Sequence, residues 1–212
     1  MGLSGNETKG WNMARINGSD SQDSIRGTMG DDVMHGYQGG DALAGAGGDD
    51  AIYGDRGDDY LWGDAGRDTL YGGAGDDVLR GNWGNDILRG GPGNDWYEGG
   101  EGDGKDRFVF SDVTGNGHTQ EFVADFAFND ILDFSEIDAN WNVAGNQAFR
   151  WLGMGGDFTG RAGEMVGRYV GEGMTEQTKL WLDVDGNKQA DMVVIIDGGW
   201  FEMYQGKDYF VL

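Results

Sequence analysis

A period of nine residues runs through the first half of the chain and constrains its fold more than any other feature. Ten consecutive units begin with Gly, carry Asp at position 6 and place a large apolar or aromatic residue at position 8. The first unit begins at Gly18 and the tenth at Gly99, and two inserted residues precede Asp106 of the tenth unit. Chance does not place the same acid in one register ten times. The period therefore predicts a repeat architecture in which every unit adopts the same local structure.

Each unit predicts a turn followed by a short strand. Gly at positions 1 and 4 is expected to permit positive φ, so positions 1 to 6 can turn sharply. Side chains alternate along a strand, so position 8 points inward while positions 7 and 9 point outward. Two units make one coil of eighteen residues, and alternate units build two opposing parallel sheets. The expected fold class is all-β, with a right-handed parallel β-roll over residues 18–109.

The repeated Asp is the predicted metal ligand. Equivalent loops of successive coils lie one strand spacing apart, about 4.8 Å, so their carboxylates stack. Stacked carboxylates without a cation would repel one another strongly. Ca²⁺ takes six to eight oxygens and accepts carboxylate and backbone carbonyl oxygens alike. The first ladder comprises Asp23, Asp41, Asp59, Asp77 and Asp95, and the second ladder comprises Asp32, Asp50, Asp68, Asp86 and Asp106.

The ladders also predict a number of ions. Five carboxylates enclose four gaps in each ladder, so we expect about six to eight Ca²⁺. The terminal gaps are expected to be weaker, because Ser19 and Ser21 replace loop Gly in the first unit and the tenth unit is widened. Position 5 accepts Gly40 and Arg67 as well as Asp, so its side chains are not expected to be essential ligands.

Charge and composition indicate the same partner. The 212 residues carry 38 acidic and 15 basic side chains, for a formal net charge of −23. Such a chain repels nucleic acid and anionic membranes and attracts cations. There is no Cys, so metal is the expected substitute for disulfides in a secreted chain. No stretch is long and apolar enough to cross a membrane, and membrane insertion is not expected.

No catalytic motif accompanies the repeats. The chain has two His residues, His35 and His118, whereas the zinc-protease motif HExxH needs two His residues four positions apart on one helix. There is also no GxSxG nucleophile elbow and no Cys nucleophile. We therefore expect a chain that is not an enzyme.

The repeat GGxGxDxUx is the Ca²⁺-binding nonapeptide of RTX proteins, which the array resembles. From about residue 100 onward, the chain also resembles the C-terminal domain of serralysin-type metalloproteases, without their HExxH motif. This second resemblance implies that a β-sandwich-like cap follows the β-roll. Its motifs, in the family's order, are Phe108-Val-Phe110, Asp125-Phe126, Asp130-Ile-Leu-Asp133-Phe-Ser135 with Ile137-Asp138, Asn146-Gln-Ala-Phe149, Phe158-Thr-Gly160 with Ala162-Gly-Glu164, and Asp183-Val-Asp185-Gly-Asn187 with Ala190-Asp191.

The resemblance further implies secretion from a Gram-negative bacterium through a type I ABC exporter. Asp208 and the apolar residues 209–212 resemble the C-terminal export signal of that family. The polar N-terminus has no signal-peptide core, which agrees with export from the other end. The expected organisation is a leader over 1–17, the RTX roll over 18–109, and the cap with its secretion signal over 110–212.

Two weaker groups of candidate ligands lie in the second half. Glu121 and Asp125, with Asp106, are candidates to close the last site of the array. Four oxygen-bearing residues resemble a short EF-hand loop, although Gly186 is displaced and the closing Glu is missing. An Asp-rich turn without metal is the alternative interpretation. The four residues are Asp183, Asp185, Asn187 and Asp191.

Three functions are compatible with these features. The leading hypothesis is a secreted Ca²⁺-binding module that folds when external Ca²⁺ fills the ladders, and that stabilises or anchors an associated domain. A second is a polyuronate-binding module of a polysaccharide-modifying enzyme, since alginate epimerases carry similar modules. A third is the non-catalytic C-terminal part of a secreted protease or other hydrolase.

The polyuronate hypothesis depends on outward side chains of the two sheets. Aromatic rings can stack sugars, and Arg can hold carboxylates. Ordinary sheet surface or contact with another domain is the alternative interpretation. The side chains are His35, Tyr53, Tyr71 and Arg89 on one sheet, and Arg26, Trp62 and Arg80, with Tyr60 and Trp96 beside them, on the other.

Overall fold

The computed structural model describes residues 13–100, 104–111, 119–127, 129–138, 148–170, 177–197 and 210–211. Every regular element within these residues is a β-strand. The described residues contain no helix that is long and apolar enough to cross a membrane. The strands of the repeats begin at position 7 of each unit, and several continue into the next loop. β1 Arg15–Asn17 precedes the first repeat. The strands of the repeats are β2 Ser24–Arg26, β3 Val33–Gln38, β4 Ala42–Ala44, β5 Ala51–Arg56, β6 Tyr60–Ala65, β7 Thr69–Ala74, β8 Val78–Trp83, β9 Ile87–Arg89, β10 Trp96–Glu98 and β11 Arg107–Val109.

Successive coils stack in parallel with a register of eighteen residues. Leu43 pairs with Leu61, and Leu61 pairs with Leu79, so equivalent positions of every second unit are neighbours. This register confirms two units per coil and two opposing parallel sheets. β1 lies within the expected leader, and Ile16 pairs with Met34. The regular stack therefore includes three residues that precede the first Gly of the repeat.

The position 8 side chains form the core between the two sheets. From Met34 through Leu88 each of them is fully buried, whereas Ile16 and Ile25 at the N-terminal end are only partly covered. Tyr97 and Phe108 continue the same stack, and each is at most 1% exposed. A column of apolar side chains thus fixes the register of the loops, because a shift by one residue would turn the column toward solvent.

The chain after residue 110 extends the same two sheets. The eight-stranded sheet has the order β1-β3-β5-β7-β9-β11-β13-β18, and the ten-stranded sheet has the order β14-β15-β16-β17-β12-β10-β8-β6-β4-β2. β15, β16 and β17 pair antiparallel, while the repeat strands pair only in parallel. A separate sandwich-like cap is therefore not confirmed. The added strands are β12 Thr119–Val123, β13 Ile131–Asp133, β14 Arg150–Met154, β15 Glu164–Val170, β16 Gln177–Asp183, β17 Met192–Asp197 and β18 Phe210–Val211.

The two repeated glycines serve different purposes, which corrects the expectation of positive φ at both positions. In the third to ninth loops position 4 is left-handed, as at Gly57 with φ 127°. Position 1 is not left-handed, as at Gly54, and the left-handed residue is instead position 2, where Asp55 has φ 74°. Gly at position 1 is required by space, because a Cβ there would lie closer than 3.0 Å to oxygen atoms of the loops.

Candidate metal centre

The position 6 carboxylates of the repeats lie inside the loops, at the two edges where the sheets meet. Except for Asp23, which is half-buried, each of these ten side chains is at most 4% exposed. The structure therefore places the predicted ligands of each ladder in one continuous line. Placing so many carboxylates out of water is costly unless hydrogen bonds or cations compensate them.

One oxygen of each carboxylate ties neighbouring coils together. The backbone N–H of Asp41 donates to Oδ1 of Asp59 over 2.7 Å, and the N–H of Asp59 donates to Oδ1 of Asp77 over 2.8 Å. The same bond recurs between each Asp and its equivalent in the next coil, at 2.7 to 2.9 Å. This bond fixes every carboxylate and directs its second oxygen into the gap toward the following coil.

The second oxygen, Oδ2, is buried without a hydrogen-bond donor in six consecutive loops of the array. Buried oxygens of this kind are rare in folded proteins, because leaving an ionised acceptor without a partner is strongly unfavourable. Their regular recurrence in equivalent loops indicates a site arranged for a cation rather than a local defect. The six carboxylates are those of Asp41, Asp50, Asp59, Asp68, Asp77 and Asp86.

A backbone oxygen from the next coil converges on the same place. At Gly54, Oδ2 of Asp59 and the carbonyl oxygen of Gly72 both lie within 3.0 Å of the position that a Cβ would occupy. The corresponding pair of oxygens faces each position 1 Gly from Gly18 to Gly81. Each gap thus offers carboxylate and carbonyl oxygens from two coils, which is the donor set that Ca²⁺ prefers. The residues present therefore fit a calcium ion.

Burial makes these carboxylates poor anions when no cation is bound. Desolvation raises the pKa of Asp68 and of Asp50 to about 7, and the neighbouring carboxylates of each ladder add to the effect. The pKa of Asp77 rises to about 8 for the same reasons. The hydrogen bond that each Asp accepts from the preceding coil opposes the shift but does not cancel it. A divalent cation would remove both causes at once.

The two carboxylates at the N-terminal end differ from the others. Oδ2 of Asp23 accepts the backbone N–H of Ser19 over 2.6 Å and its hydroxyl over 2.8 Å. Oδ2 of Asp32 accepts the backbone N–H of Thr28 over 2.6 Å. In these two loops, hydrogen bonds from the protein satisfy Oδ2 of the position 6 Asp, whereas the same atom has no hydrogen-bond donor in the next six loops.

At the other end, both ladders continue beyond the repeats. The N–H of Asp95 donates to Oε2 of Glu121 over 3.2 Å, and the N–H of Asp106 donates to Oδ1 of Asp130 over 2.9 Å. Strand pairing puts Glu121 and Asp130 in the position 6 register, 26 and 24 residues after their partners. Glu121 was predicted to help close the last site of the array, without a place on a ladder, and Asp130 was not among the predicted ligands. The signal for Asp130 was the triplet Asp130-Ile131-Leu132, which repeats positions 6 to 8 of a unit.

Asp125 and Tyr97 complete the C-terminal end of the array. Asp125 accepts the N–H groups of Gly99 and Gly100 at 2.8 and 2.7 Å, so it holds the widened loop in place. The Tyr97 hydroxyl accepts the N–H of Gly90 over 3.1 Å. Burial, together with the charges of Glu121 and Asp95, raises the pKa of Tyr97 well above its usual value, so the phenol remains neutral.

Position 5 side chains form an outer set of contacts that differs from the inner ladders. The N–H of Asp76 donates to Oδ1 of Asp58 over 2.9 Å, and the N–H of Arg67 donates to Oδ1 of Asp49 over 2.9 Å. These carboxylates are exposed, and the Arg67 guanidinium lies 2.8 Å from Asp49. Backbone contacts from solvent-exposed carboxylates agree with the expectation that position 5 is not an essential metal ligand.

The EF-hand-like group in the second half comes together only in part. Carboxylate oxygens of Asp183, Asp185 and Asp191 lie within 4.8 Å of one another. Asp183 accepts the N–H groups of Gly186 and Lys188, and Asp191 accepts that of Val184. The Asn187 side chain instead turns back to Asp185 and Gln189. The contacts are those of an Asp-rich turn, and metal binding at this group stays a prediction.

Comparison with known proteins agrees with the geometry of the array. The model of the RTX calcium-binding nonapeptide repeat, which spans four copies, matches residues 14–43, 35–70, 44–79, 62–97 and 71–105. The chain contains an array of RTX calcium-binding repeats. The matched residues end at 105, so the serralysin-like character of the second half of the chain stays a prediction.

No curated protein sequence matches this chain. Among solved structures, it is similar to the solution structure of the AlgE6R3 subunit of a mannuronan C5-epimerase from Azotobacter vinelandii. The two are 22% identical with a TM-score of 0.38, and the match covers 92% of this chain and 80% of the other. A likeness of this size carries no conclusion about what the chain binds.

Proposed function

We propose that this chain is a secreted calcium-binding RTX module whose two ladders bind Ca²⁺ after export, and whose folded roll stabilises or anchors an associated domain. The observation that carries the proposal is the line of six buried Oδ2 atoms without a hydrogen-bond donor. A calcium ion in each of these gaps would take Oδ2 of the Asp and the carbonyl oxygen of the position 1 Gly of the next coil. Gaps beyond these six bring the expected total to between six and eight.

The same arrangement explains why calcium should control folding. Each coil contributes only short strands and one inward side chain per unit, so a single coil buries little apolar surface. The net charge of −23 opposes any compact state without cations. Ions bound between coils reduce that charge and join neighbouring coils directly, so binding free energy becomes folding free energy. Low cytosolic Ca²⁺ would keep the chain unfolded and suitable for passage through an exporter.

His35, Tyr53, Tyr71 and Arg89 form a stripe on the eight-stranded sheet, and its contacts support a structural role rather than sugar stacking. The ring of Tyr53 is sandwiched between His35 at 4.5 Å and Tyr71 at 4.6 Å, with interplanar angles of 6° and 2°. The Arg89 guanidinium covers the other face of Tyr71 at 5.5 Å. A sugar ring stacks on a free aromatic face, and in this stripe the faces are occupied by neighbours. The stripe therefore does not favour the polyuronate hypothesis.

Chelation tests the proposal. The chain is followed by far-UV circular dichroism in excess EGTA and then in millimolar Ca²⁺ or Mg²⁺. We expect that EGTA removes most of the β signal, that Ca²⁺ restores it, and that Mg²⁺ does not, because Mg²⁺ demands a small octahedral site and gives up water reluctantly. An unchanged spectrum in EGTA would contradict calcium-coupled folding.

Export is tested separately, by deleting residues 208–212 and measuring secretion from a host with a matching type I exporter. We expect secretion to be lost. The deletion also removes β18, which pairs with Leu132 and Asp133 of β13. Calcium binding by the purified truncated chain is therefore the control, and it should persist because the ligands of residues 18–109 are local. Normal secretion of the truncated chain would refute the signal assignment.

A further inference from the structure

The loops of the array exist in two backbone states that differ at positions 2 and 4, since Ser21 and Gly30 at position 4 of the first two loops also lie outside the left-handed region that the later position 4 glycines adopt. In the third to eighth loops, position 2 is left-handed, with φ between 69° and 113°. In the first two loops, Ser19 and Thr28 occupy position 2 and lie outside the left-handed region. The left-handed residues are Tyr37, Ala46, Asp55, Asp64, Gly73 and Asn82.

The backbone state and the hydrogen bonding of the carboxylate change together. All six loops with a donor-free Oδ2 have a left-handed position 2. In the two loops that are not left-handed, the position 2 N–H donates to Oδ2 over 2.6 Å in both cases. The φ angle of position 2 sets how its N–H is oriented relative to the rest of the loop. The backbone state of the loop thus accompanies the hydrogen bonding of Oδ2, and the position 2 N–H is the backbone group that makes the bond.

A short hydroxyl side chain at position 2 distinguishes the two loops that are not left-handed, since Tyr, Ala, Asp, Gly and Asn occupy this position in the six left-handed loops. A β-branched residue such as Thr28 is a genuine outlier at positive φ, whereas Gly, Asn and Asp enter that region at low cost. The Ser19 hydroxyl reinforces the other state through bonds to Asp23 and Ser21, at 2.8 and 3.0 Å. The Thr28 hydroxyl does the same by accepting the N–H of Gly30 over 3.2 Å.

We propose that position 2 decides whether a loop of the array binds calcium, and that Ser19 and Thr28 end both calcium ladders on the N-terminal side. The inference rests on the proposed calcium-binding function and adds a determinant for each site. A loop in the hydrogen-bonded state must break the bond from position 2 before its Oδ2 can bind an ion. The gaps that follow Asp23 and Asp32 therefore stay without calcium at concentrations that fill the six interior gaps.

The experiment counts bound ions by native mass spectrometry at a Ca²⁺ concentration that just saturates the wild-type chain. The double variant Ser19→Gly/Thr28→Gly frees both loops to become left-handed, and we expect it to bind two more ions than the wild type. The control variant Gln22→Gly/Met29→Gly adds Gly to the same two loops at exposed positions away from position 2, and its ion count should be unchanged. The reciprocal variant Asn82→Thr should bind one ion fewer.

The outcomes separate this inference from the proposed function. A wild-type count of three ions or fewer would overturn the ladder itself. A wild-type count of six or more that does not rise in the double variant would overturn only the role of position 2, as would an undiminished count for Asn82→Thr. If the double variant did not fold, the reciprocal variant would still decide, because it alters a single loop in the interior of the array.

Discussion

Two buried carboxylates, one in the array and one in the C-terminal strands, show how differently the two regions are built. Asp68 and Glu164 are at most 1% exposed. Desolvation raises the pKa of Asp68 to about 7, and its Oδ2 has no hydrogen-bond donor. Burial also opposes ionisation of Glu164, but hydrogen bonds from the N–H and hydroxyl of Thr159 outweigh it and lower its pKa. The charge of Glu164 is satisfied by its own neighbours, whereas the array leaves a row of charges for cations.

The same contrast appears in how the strands are held. The array relies on short parallel strands and one apolar column, so its coils depend on whatever neutralises the ladders. β15, β16 and β17 form a longer antiparallel unit with its own buried side chains, among them Met165, Leu180 and Val194. The comparison teaches that calcium dependence should be regional and should follow the unsatisfied oxygens.

The largest expected effect is therefore a regional loss of structure on chelation. In hydrogen–deuterium exchange with EGTA, amides of residues 24–98 should lose most of their protection, because the ladders repel without cations. Amides of β15 to β17 should lose less. Equal loss in both regions would show that the two fold as one calcium-dependent unit, and protection retained in both would contradict the account of the array.

The next largest effect is expected on the free energy of unfolding, when two glycines of one loop are substituted separately. A Cβ at Gly45 would overlap Oδ2 of Asp50 and the carbonyl oxygen of Gly63, while a Cβ at Gly47 would meet the flexible end of Met29 at 3.3 Å and otherwise lie at ordinary contact distance from the carbonyl oxygen of Ala65, 3.8 Å away. We expect Gly45→Ala to destabilise the calcium-loaded chain by about 2 to 3 kcal/mol, as overpacking does. Gly47→Ala should change the free energy of unfolding by about 0.5 kcal/mol or less. Urea unfolding in Ca²⁺ measures both, and equal costs would contradict the convergence of oxygens on position 1.

A third comparison tests the ligand register with adjacent residues. Oδ1 of Asp59 borders one gap and its Oδ2 borders the next, so Asp59→Ala should weaken two calcium sites, each by roughly 10- to 100-fold. Asp58→Ala removes an exposed carboxylate that holds only the N–H of Asp76, and it should leave the calcium affinities nearly unchanged. Calorimetric titration distinguishes the two, and similar losses would show that position 5 also binds calcium.

The smallest effect concerns pH in the absence of metal. The pKa values of Asp59 and Asp106 rise to about 6, those of Asp50, Asp68 and Asp86 to about 7, and that of Asp77 to about 8. Because these values lie above the ordinary value of an unfolded Asp, the folded metal-free array binds more protons than the unfolded chain. Its stability is greatest below about pH 4 and falls as the pH rises from about 4 to 8.

Calcium reverses this dependence, since Ca²⁺ competes with the same protons. The calcium affinity of the array, measured by calorimetric titration, should therefore rise from pH 5 to pH 8. The variant Asp68→Asn should weaken that pH dependence, because it removes one of the titrating carboxylates. A calcium affinity that is constant across this range would contradict the raised pKa values.

The sequence predicted the parts of the molecule that follow from a fixed period. Asp at position 6 and Leu at position 8 recur every nine residues, so the coil, the ladders and the apolar column could be derived without coordinates. Glu121 and Asp130 were not placed on the ladders, because 26 and 24 residues separate them from their partners and the period is lost. The order of the C-terminal strands was also beyond reach, since β12 pairs with β17 across about seventy residues.

The repeated glycines show a subtler limit of prediction from sequence. Sequence alone could not tell why Gly recurs at position 1, because conformational freedom and lack of space both select Gly. It also gave no sign that Ser19 and Thr28 bind the carboxylates of their own loops, since that depends on the backbone state of position 2. Both features involve backbone geometry that a residue pattern does not specify.

The most direct test of the central claim is an anomalous difference map from crystals of the chain grown with Ca²⁺. The two calcium ladders predict at least six peaks in two straight rows. Each peak should lie between adjacent coils, beside Oδ2 of one of the six donor-free carboxylates. Three peaks or fewer, or peaks beside the exposed position 5 carboxylates Asp49, Asp58 and Asp76, would contradict it.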